Sequence, residues 1–266
     1  MSYKLIALDL DGTLFGDDLN ISRRVFAALE LARGRGIRIT LASGRAYPAM
    51  RRWVEELRVT APVICYQGAV VADPLTHRRV YTQTFSPKLV PALRDFAHTH
   101  GVSMILYVGD EMYVENKLYS EEFYDKWFGI PYHIVSDISA PLPADPIKCM
   151  FIGSQEELDR VAPQAQARLG GQLQIVRSHA LFLEGLAIGV SKGSALAWVA
   201  NQLNVVREET LAIGDSDNDR EMLSWAGLGV AMGNGTSEAK RVADYIAPSV
   251  RDDGVAQVIE RFCLGN

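Results

Sequence analysis

A chain of 266 residues has room for one large α/β domain or two smaller ones. Its 27 basic and 32 acidic side chains give a formal charge of −5. That balance argues against non-specific binding to nucleic acid or an anionic membrane surface, which needs a basic face, although a small anionic substrate can still find a locally positive pocket. Hydrophobic content of 48% and charged content of 22% describe an ordinary globular chain. Cys65, Cys149 and Cys263 are odd in number and contain no CxxC pair, so they read as reduced thiols of a cytoplasmic protein, not as a disulfide framework or a zinc site. The first apolar run is too short for a signal peptide and is cut by Asp9, and no uncharged run is long enough to span a bilayer. No internal repeat, low-complexity segment or protein-partner motif is evident.

Leu5-Ile-Ala-Leu8 is an unbroken apolar run, as a strand buried on both faces requires, and it ends in Asp9-Leu10-Asp11-Gly12-Thr13. Ligands of open α/β sheets bind just beyond the carboxyl ends of the strands, where Asp9 and Asp11 fall. Gly12 is free to take angles that turn backbone N–H groups toward a ligand. Taken alone, the segment is equally a strand followed by a plain Asp-Gly turn. Asn20-Ile-Ser22 opens a helix with Val25, Ala28, Leu29 and Ala32 at helical spacing, closed by Gly34 and Gly36. Residues 37–42 read as a second strand ending in Ser43-Gly44-Arg45, residues 48–58 as a second helix, and residues 62–66 as a third strand ending in Gln67-Gly68. This β-α-β-α-β order is that of a parallel sheet.

The alternation then breaks. Val70-Val71 and Val80-Tyr81 flank Asp73-Pro74, a hairpin signal. Ser86-Pro87 opens a helix that Gly101 ends. Met104–Val108 and Met112–Val114 read as an antiparallel pair, an aromatic-rich helix comes next over 119–128, and residues 137–146, with three prolines, are a connector. Residues 149–152 form a strand, Ser154 to Glu157 a capping box opening a helix, and two further strands lie near 173–176 and 181–183. From Ser191 the first pattern resumes: a helix to Leu203, a strand over 210–213 ending in Gly214-Asp215-Ser-Asp217-Asn218-Asp219, a short strand over 228–231, the turn Gly233-Asn-Gly235, a strand over 244–247 and a last helix from Asp252. The expected architecture is a doubly wound parallel-sheet α/β core, Rossmann-like, from residues 1–82 and 189–266, carrying an inserted α+β domain over 83–188.

Three strand ends of that core supply Asp9 with Asp11, then Ser43, then Asp215 with Asp219. Carboxylates gathered in one crevice repel one another unless something positive lies among them. A hard divalent cation with oxygen ligands fits, and Mg²⁺ needs only one or two carboxylates plus a substrate phosphate. Helix capping is the competing reading of Asp215 to Asp219. Lys192 lies in the first turn of its helix, where a cation opposes the dipole by roughly 0.3–1 kcal/mol. A residue set against its local preference is a candidate for function, although a lone lysine is more often a solvated one. Together these parts form a phosphoryl-transfer site with a carboxylate nucleophile, Mg²⁺ and a lysine on the phosphoryl oxygens, and Ser43 with backbone N–H groups orienting them.

Asp9-Leu-Asp11-Gly-Thr, Ser43-Gly44-Arg45, Ser191-Lys192-Gly and Gly214-Asp215-Ser-Asp-Asn-Asp219 resemble, in order, the four signatures of the haloacid dehalogenase-like hydrolase superfamily. The long insertion between the second and third, with Gly189-Val-Ser-Lys-Gly and the tail Met232-Gly-Asn, is similar to the cap and core of its Cof-type (IIB) phosphatases. The resemblance implies Asp9 as nucleophile and Asp11 as general acid and base. It implies Mg²⁺ held by Asp9, the Asp11 carbonyl and Asp215, supported by Asp219, with Gly12, Ser43, Gly44, Arg45, Lys192 and Asn218 around the phosphate. It further implies an insert that selects among small phosphorylated metabolites, sugar phosphates first. One departure is Gln67-Gly68-Ala69 where that subfamily usually has Asn-Gly-Ala, so no role is carried over for Gln67. Arg45 stays open between a phosphate or cap-facing contact and a surface position.

Two other functions share some of these features. A dinucleotide module would use Gly233-Asn-Gly235, but the third glycine is missing and the strand is not the first of its unit. A phosphomutase or phosphotransferase would use the same acidic site with a second hydroxyl in place of water. In the insert, Tyr107, Tyr113 and Trp127 read as core before they read as a specificity surface.

Overall fold

Four consecutive apolar residues form β1 (Leu5–Leu8), and all four are buried. The computed structural model describes residues 3–16, 18–117 and 119–265. After β1 come β2 (Arg38–Leu41), β3 (Val63–Cys65), β4 (Val70–Ala72) and β5 (Arg79–Thr82). The insert contributes β6 (Ser103–Val108), β7 (Glu111–Val114), β8 (Tyr132–Ile134), β9 (Lys148–Ile152), β10 (Gln174–His179) and β11 (Phe182–Leu186). The chain then returns with β12 (Thr210–Gly214), β13 (Leu228–Ala231) and β14 (Tyr245–Ile246). It divides into two units, one made of the chain up to Gly44, Arg51–Val80 and the chain from Ser191 on, the other of Arg45–Met50 and Tyr81–Val190.

In the first unit a parallel sheet runs in the order β14-β13-β12-β1-β2. The chain leaves β1 toward β2 on one side and later returns to β12 on the other, so the strand order reverses at β1, the place where open α/β sheets bind ligands. Register levels the strand ends. Leu8 pairs with Ile213 of β12 and with Leu41 of β2, so Asp9, Asp215 and Ser43 emerge side by side from neighbouring strands. Asp9 N–H still donates to Ile213 O at 3.0 Å, which holds the first acid at the very end of the ladder. Helix Arg23–Gly34 begins as its spacing predicts, with Ser22 Oγ accepting from Val25 N–H and Val25, Ala28, Leu29 and Ala32 buried.

The third strand differs from expectation. It touches β2 by a single parallel bridge, Ala42 to Ile64, and otherwise pairs antiparallel with β4 in a three-stranded sheet β3-β4-β5. Three residues are too few to build a second parallel ladder when a hairpin partner lies five residues on. Asp73 makes the next turn, between β4 and β5, its Oδ1 accepting from Leu75 and Thr76 N–H at 2.8 and 2.9 Å.

The second unit is built on a six-stranded sheet in the order β10-β11-β9-β6-β7-β8. Its pairs are antiparallel except β7 with β8, a strand the sequence does not announce because only three residues pair. The helices Val90–His100 and Gln155–Leu169 end and begin as read from sequence, with Gly101 in the left-handed region closing the first and the Ser154–Glu157 capping box opening the second; Ser86 and Pro87 open a 3-10 turn, Pro87–Leu89, that leads into the first helix. Tyr107 is core at 3% exposed, whereas Tyr113 and Trp127 stay half-buried. No helix of the described residues is long and apolar enough to cross a membrane.

Candidate active site

Lys192 is the only lysine or arginine of the first unit that is nearly sealed from solvent, at 1% exposed among the described residues. Ser191 caps its helix, accepting from Ser194 N–H at 3.0 Å, and this fixes the first-turn position of the lysine. Its ammonium donates to Asp9 Oδ1 and to Asp219 Oδ1, each at 2.6 Å. Asp219 Oδ2 accepts from the backbone N–H of Asp215 and Ser216 at 2.9 and 3.0 Å. Asp219 therefore caps the turn after β12, as the capping reading of Asp215 to Asp219 has it, and it also clamps the lysine, a contact the sequence reading did not include. Both its oxygens are engaged.

Carboxylate oxygens of Asp9, Asp215 and Asp219 all lie within 4.8 Å of one another. Three carboxylates against one ammonium leave two negative charges in a place where Asp9 is 4% exposed and Asp219 fully buried. Burial raises the Asp9 carboxyl well above its ordinary range, and Asp219 and Asp215 add to the rise against the pull of Lys192. Burial and then Asp219 push Asp215 up to about 7, with the Thr13 hydroxyl, 2.9 Å from its Oδ1, working the other way. Burial by itself would lower the Lys192 ammonium, but Asp219 and Asp9 outweigh it and keep the lysine charged. A hard divalent cation fits this donor set: closely spaced carboxylates held short of their preferred ionisation by an unmet excess of negative charge. The carboxylate of Asp11 falls outside the group.

Gly12 does a different job from the one expected of it. Its N–H is spent on Phe15 O at 2.9 Å and so is not turned toward a ligand. A Cβ there would sit 2.4 Å from Asp215 Oδ2, and φ is +87°, so glycine is required to let the first loop pass against the third acid. Asn234 closes the arrangement from the far side, donating to Gly12 O and accepting from Val250 N–H, both at 2.8 Å. The Gly233-Asn-Gly235 turn thus serves the site as a brace.

Ser43 is 2% exposed at the end of β2, its N–H on Ile64 O and its carbonyl accepting from Gln67 N–H, both at 3.0 Å. Gln67 proves to be part of the site. It is 2% exposed, its Oε1 accepts from Asn218 Nδ2 at 2.9 Å, and a Cβ on Gly44 would meet its Nε2 at 2.4 Å. Tyr66 and Gln67 both take positive φ, 50° and 59°, a strained pair next to Gly68 at φ +102°. A Cβ on Gly68 would stand 2.2 Å from Ser191 O, so this turn and the cap of the lysine helix are packed backbone to backbone. Thr13, Gln67 and Asn234 were not singled out as site residues by sequence reasoning. Thr13 stood inside the first motif, so its signal was present; Gln67 and Asn234 act through partners distant in sequence, which no local pattern shows. Arg45 is not a surface arginine: it is 9% exposed, belongs to the second unit, and donates to the Lys126 and Trp127 carbonyls at 3.0 and 3.5 Å.

The family model of haloacid dehalogenase-like hydrolases matches residues 6–259. YxeH of Bacillus subtilis is 32% identical over 98% of this chain and 99% of its own length. A second protein of that organism, named 5-amino-6-(5-phospho-D-ribitylamino)uracil phosphatase YcsE, is 30% identical over 98% of this chain and 96% of its own. The crystal structure of a haloacid dehalogenase-like hydrolase from Bacteroides thetaiotaomicron superposes with a TM-score of 0.84 at 33% identity, covering 98% of this chain and 99% of that one.

Proposed function

This chain belongs to the haloacid dehalogenase-like hydrolases, and from that premise we propose that it is a Mg²⁺-dependent phosphatase acting on small phosphorylated metabolites through an aspartyl phosphate on Asp9. The observation that carries the reading is the Lys192 ammonium clamped at 2.6 Å from both Asp9 and Asp219. That clamp fixes one oxygen of Asp9 and aims the carboxylate, as an attacking group requires.

In the first half-reaction an Asp9 oxygen forms the bond to phosphorus while the ester oxygen leaves, taking a proton from Asp11. In the second, Asp11 takes a proton from water as the water oxygen bonds to phosphorus, and the Asp9–phosphorus bond breaks to give inorganic phosphate. Lys192 and Ser43 hold the phosphoryl oxygens, and Asn218, fixed by Gln67, stands behind them. Asp9, the Asp11 carbonyl and Asp215 would hold Mg²⁺, with Asp219 in support. Bound there, the ion would neutralise phosphoryl oxygens that the three acids alone would repel. Phosphate monoesters are among the slowest of uncatalysed reactions, needing accelerations of up to about 10²¹, or roughly 29 kcal/mol, so no one of these groups suffices alone. Sugar phosphates are the substrate class favoured by resemblance, and the substrate in the name of YcsE, with its phosphorylated ribityl chain, is of related chemistry.

Purified protein should release inorganic phosphate from a panel of phosphorylated metabolites, lose that activity in EDTA and regain it with Mg²⁺. Asp9→Asn should be folded and inactive. Full turnover in EDTA would remove the metal from the reading, and turnover by Asp9→Asn would remove the nucleophile.

A further inference from the structure

Asn234 lies at the surface, yet both ends of its amide are spent inside the first unit, on Gly12 O and on Val250 N–H, each at 2.8 Å. A carbonyl on one side and an N–H on the other leave a single orientation of the amide that satisfies both. The contact with Gly12 answers a need that the acidic centre itself creates. Gly12 carries no Cβ because one would stand 2.4 Å from Asp215 Oδ2. The same absence makes it the softest joint of the first loop, since glycine takes positive and negative φ about equally well. The Asp11 carbonyl sits directly before this joint, and in the phosphatase reading it is a metal ligand. Its direction is fixed only if the peptides on both sides of Gly12 are held.

Both are held. A peptide group is planar, so the bond from Gly12 N–H to Phe15 O, at 2.9 Å, sets the plane that contains the Asp11 carbonyl. On the other side of the glycine, Gly12 O is held by Asn234 Nδ2. The turn that carries Asn234 also grips the second acid-bearing loop. Thr236 N–H donates to Asp215 O at 2.8 Å and Met232 N–H to Gly214 O at 2.9 Å, while a Cβ on Gly235 would stand 2.5 Å from Asp215 O. Lys240, on helix Ser237–Val242, steadies the turn from behind, its Nζ donating to Gly233 O at 2.7 Å. One short turn thus holds the backbones of the Gly12 and Asp215 loops at a set spacing, and Asn234 is its only side chain that reaches the first of them among the described residues.

A set spacing decides between cations of different size. Mg²⁺ demands near-ideal octahedral geometry with oxygens at about 2.0–2.1 Å, whereas Ca²⁺ accepts about 2.3–2.6 Å in flexible arrangements. Loosening one ligand-bearing loop therefore costs Mg²⁺ more than it costs Ca²⁺.

We propose that Asn234 is a positioning residue for the cation, stiffening the glycine joint beside the Asp11 carbonyl so that the site prefers Mg²⁺ to Ca²⁺. The inference rests on the metal part of the phosphatase reading and assigns to one side chain the choice of ion.

The test reads binding in the substrate-free protein. Mn²⁺ is followed by the EPR signal of the free ion, and Mg²⁺ and Ca²⁺ are titrated in as competitors, so that the ratio of their dissociation constants is the readout. Asn234→Asp keeps the size of the side chain and the acceptor for Val250 N–H but sets an oxygen against Gly12 O. Its added charge attracts both dications alike and so drops out of the ratio. Wild type should prefer Mg²⁺, and in Asn234→Asp that preference should narrow about tenfold, the lower end of what losing a partner that orients a metal ligand costs. Asn234→Ala, with both bonds gone, should narrow it as far, and it supplies the ratio if the first variant does not fold. Ser22→Ala is the structural control: it removes the cap of helix Arg23–Gly34 in the same unit, so the melting temperature should fall with the ratio unchanged. A ratio that stays put in the Asn234 variants, falls equally in Ser22→Ala, or shows no Mg²⁺ preference in wild type overturns the proposal while leaving a metal site. A wild type that binds no Mn²⁺, or binding that survives Asp215→Asn, removes the metal reading itself and this inference with it.

Discussion

Asp9 and Asp11 stand two residues apart, yet the structure gives their side chains different company. Asp9 is 4% exposed, held by Lys192 and crowded by two other acids, while the Asp11 carboxylate lies outside that group and its residue is only partly buried. One carboxylate fixed by a cation and another left outside the cluster suit an attacking group and a proton carrier. Asp11→Asn should therefore keep the nucleophile and lose proton transfer, a fall of roughly 10²–10⁴-fold in turnover. With a good leaving group the first step needs little protonation, so hydrolysis of the intermediate becomes limiting. The variant should accumulate phosphate on Asp9 as a hydroxylamine-labile label that Asp9→Asn never acquires. Label on Asp11, or normal turnover, would reverse the assignment.

At the scale of elements, what carries the site is a set of strand ends brought level by register, and this much was legible. An apolar run that stops at a polar side chain is a local pattern, and three such patterns in a parallel sheet, two ending in acids and one in a serine, predict a common edge. Asp9, Ser43 and Asp215 could be placed that way, as could the caps at Ser22, Ser154 and Gly101. The third strand could not, because its partner is chosen by competition between a short parallel ladder and a nearby hairpin, which composition does not reveal. Gln67 was illegible for a related reason: its meaning lies in Asn218, 151 positions away, and in a backbone held at positive φ. Its length is now interpretable. Gln67→Asn would draw the amide back by one methylene and break the 2.9 Å bond to Asn218, leaving a buried amide unmet. We expect kcat/KM to fall about 3–10-fold and the melting temperature to drop by about 2–10 °C, since a buried polar group left unmet costs about 1–3 kcal/mol. Unchanged kinetics in Gln67→Asn would show that Asn218 is placed without it.

For the whole molecule, the acidic centre couples folding to pH and to the metal. Asp215, pushed up to about 7 by burial and by Asp219, holds a proton in the folded chain at pH values where the unfolded chain has released it. A folded state that binds more protons loses stability as pH rises. Without a divalent cation, then, stability should decline from about pH 4, the ordinary carboxylate range, to about pH 7, with the raised Asp9 carboxyl acting in the same direction. A cation reverses the trend because it binds the carboxylates only after the protons leave, so its stabilisation should be small at pH 5 and full near pH 8. At a hundred times its dissociation constant Mg²⁺ would add about 2.7 kcal/mol, several degrees of melting temperature for a chain of this size if unfolding is cooperative. Melting curves across pH with and without Mg²⁺ read both effects, and Asp215→Asn should flatten the pH slope and remove most of the metal shift together. The coupled loss is the informative result, since it requires the same carboxylate to hold the proton and the ion. A Mg²⁺ shift of equal size at pH 5 and pH 8, or one that survives in Asp215→Asn, would place the ion elsewhere.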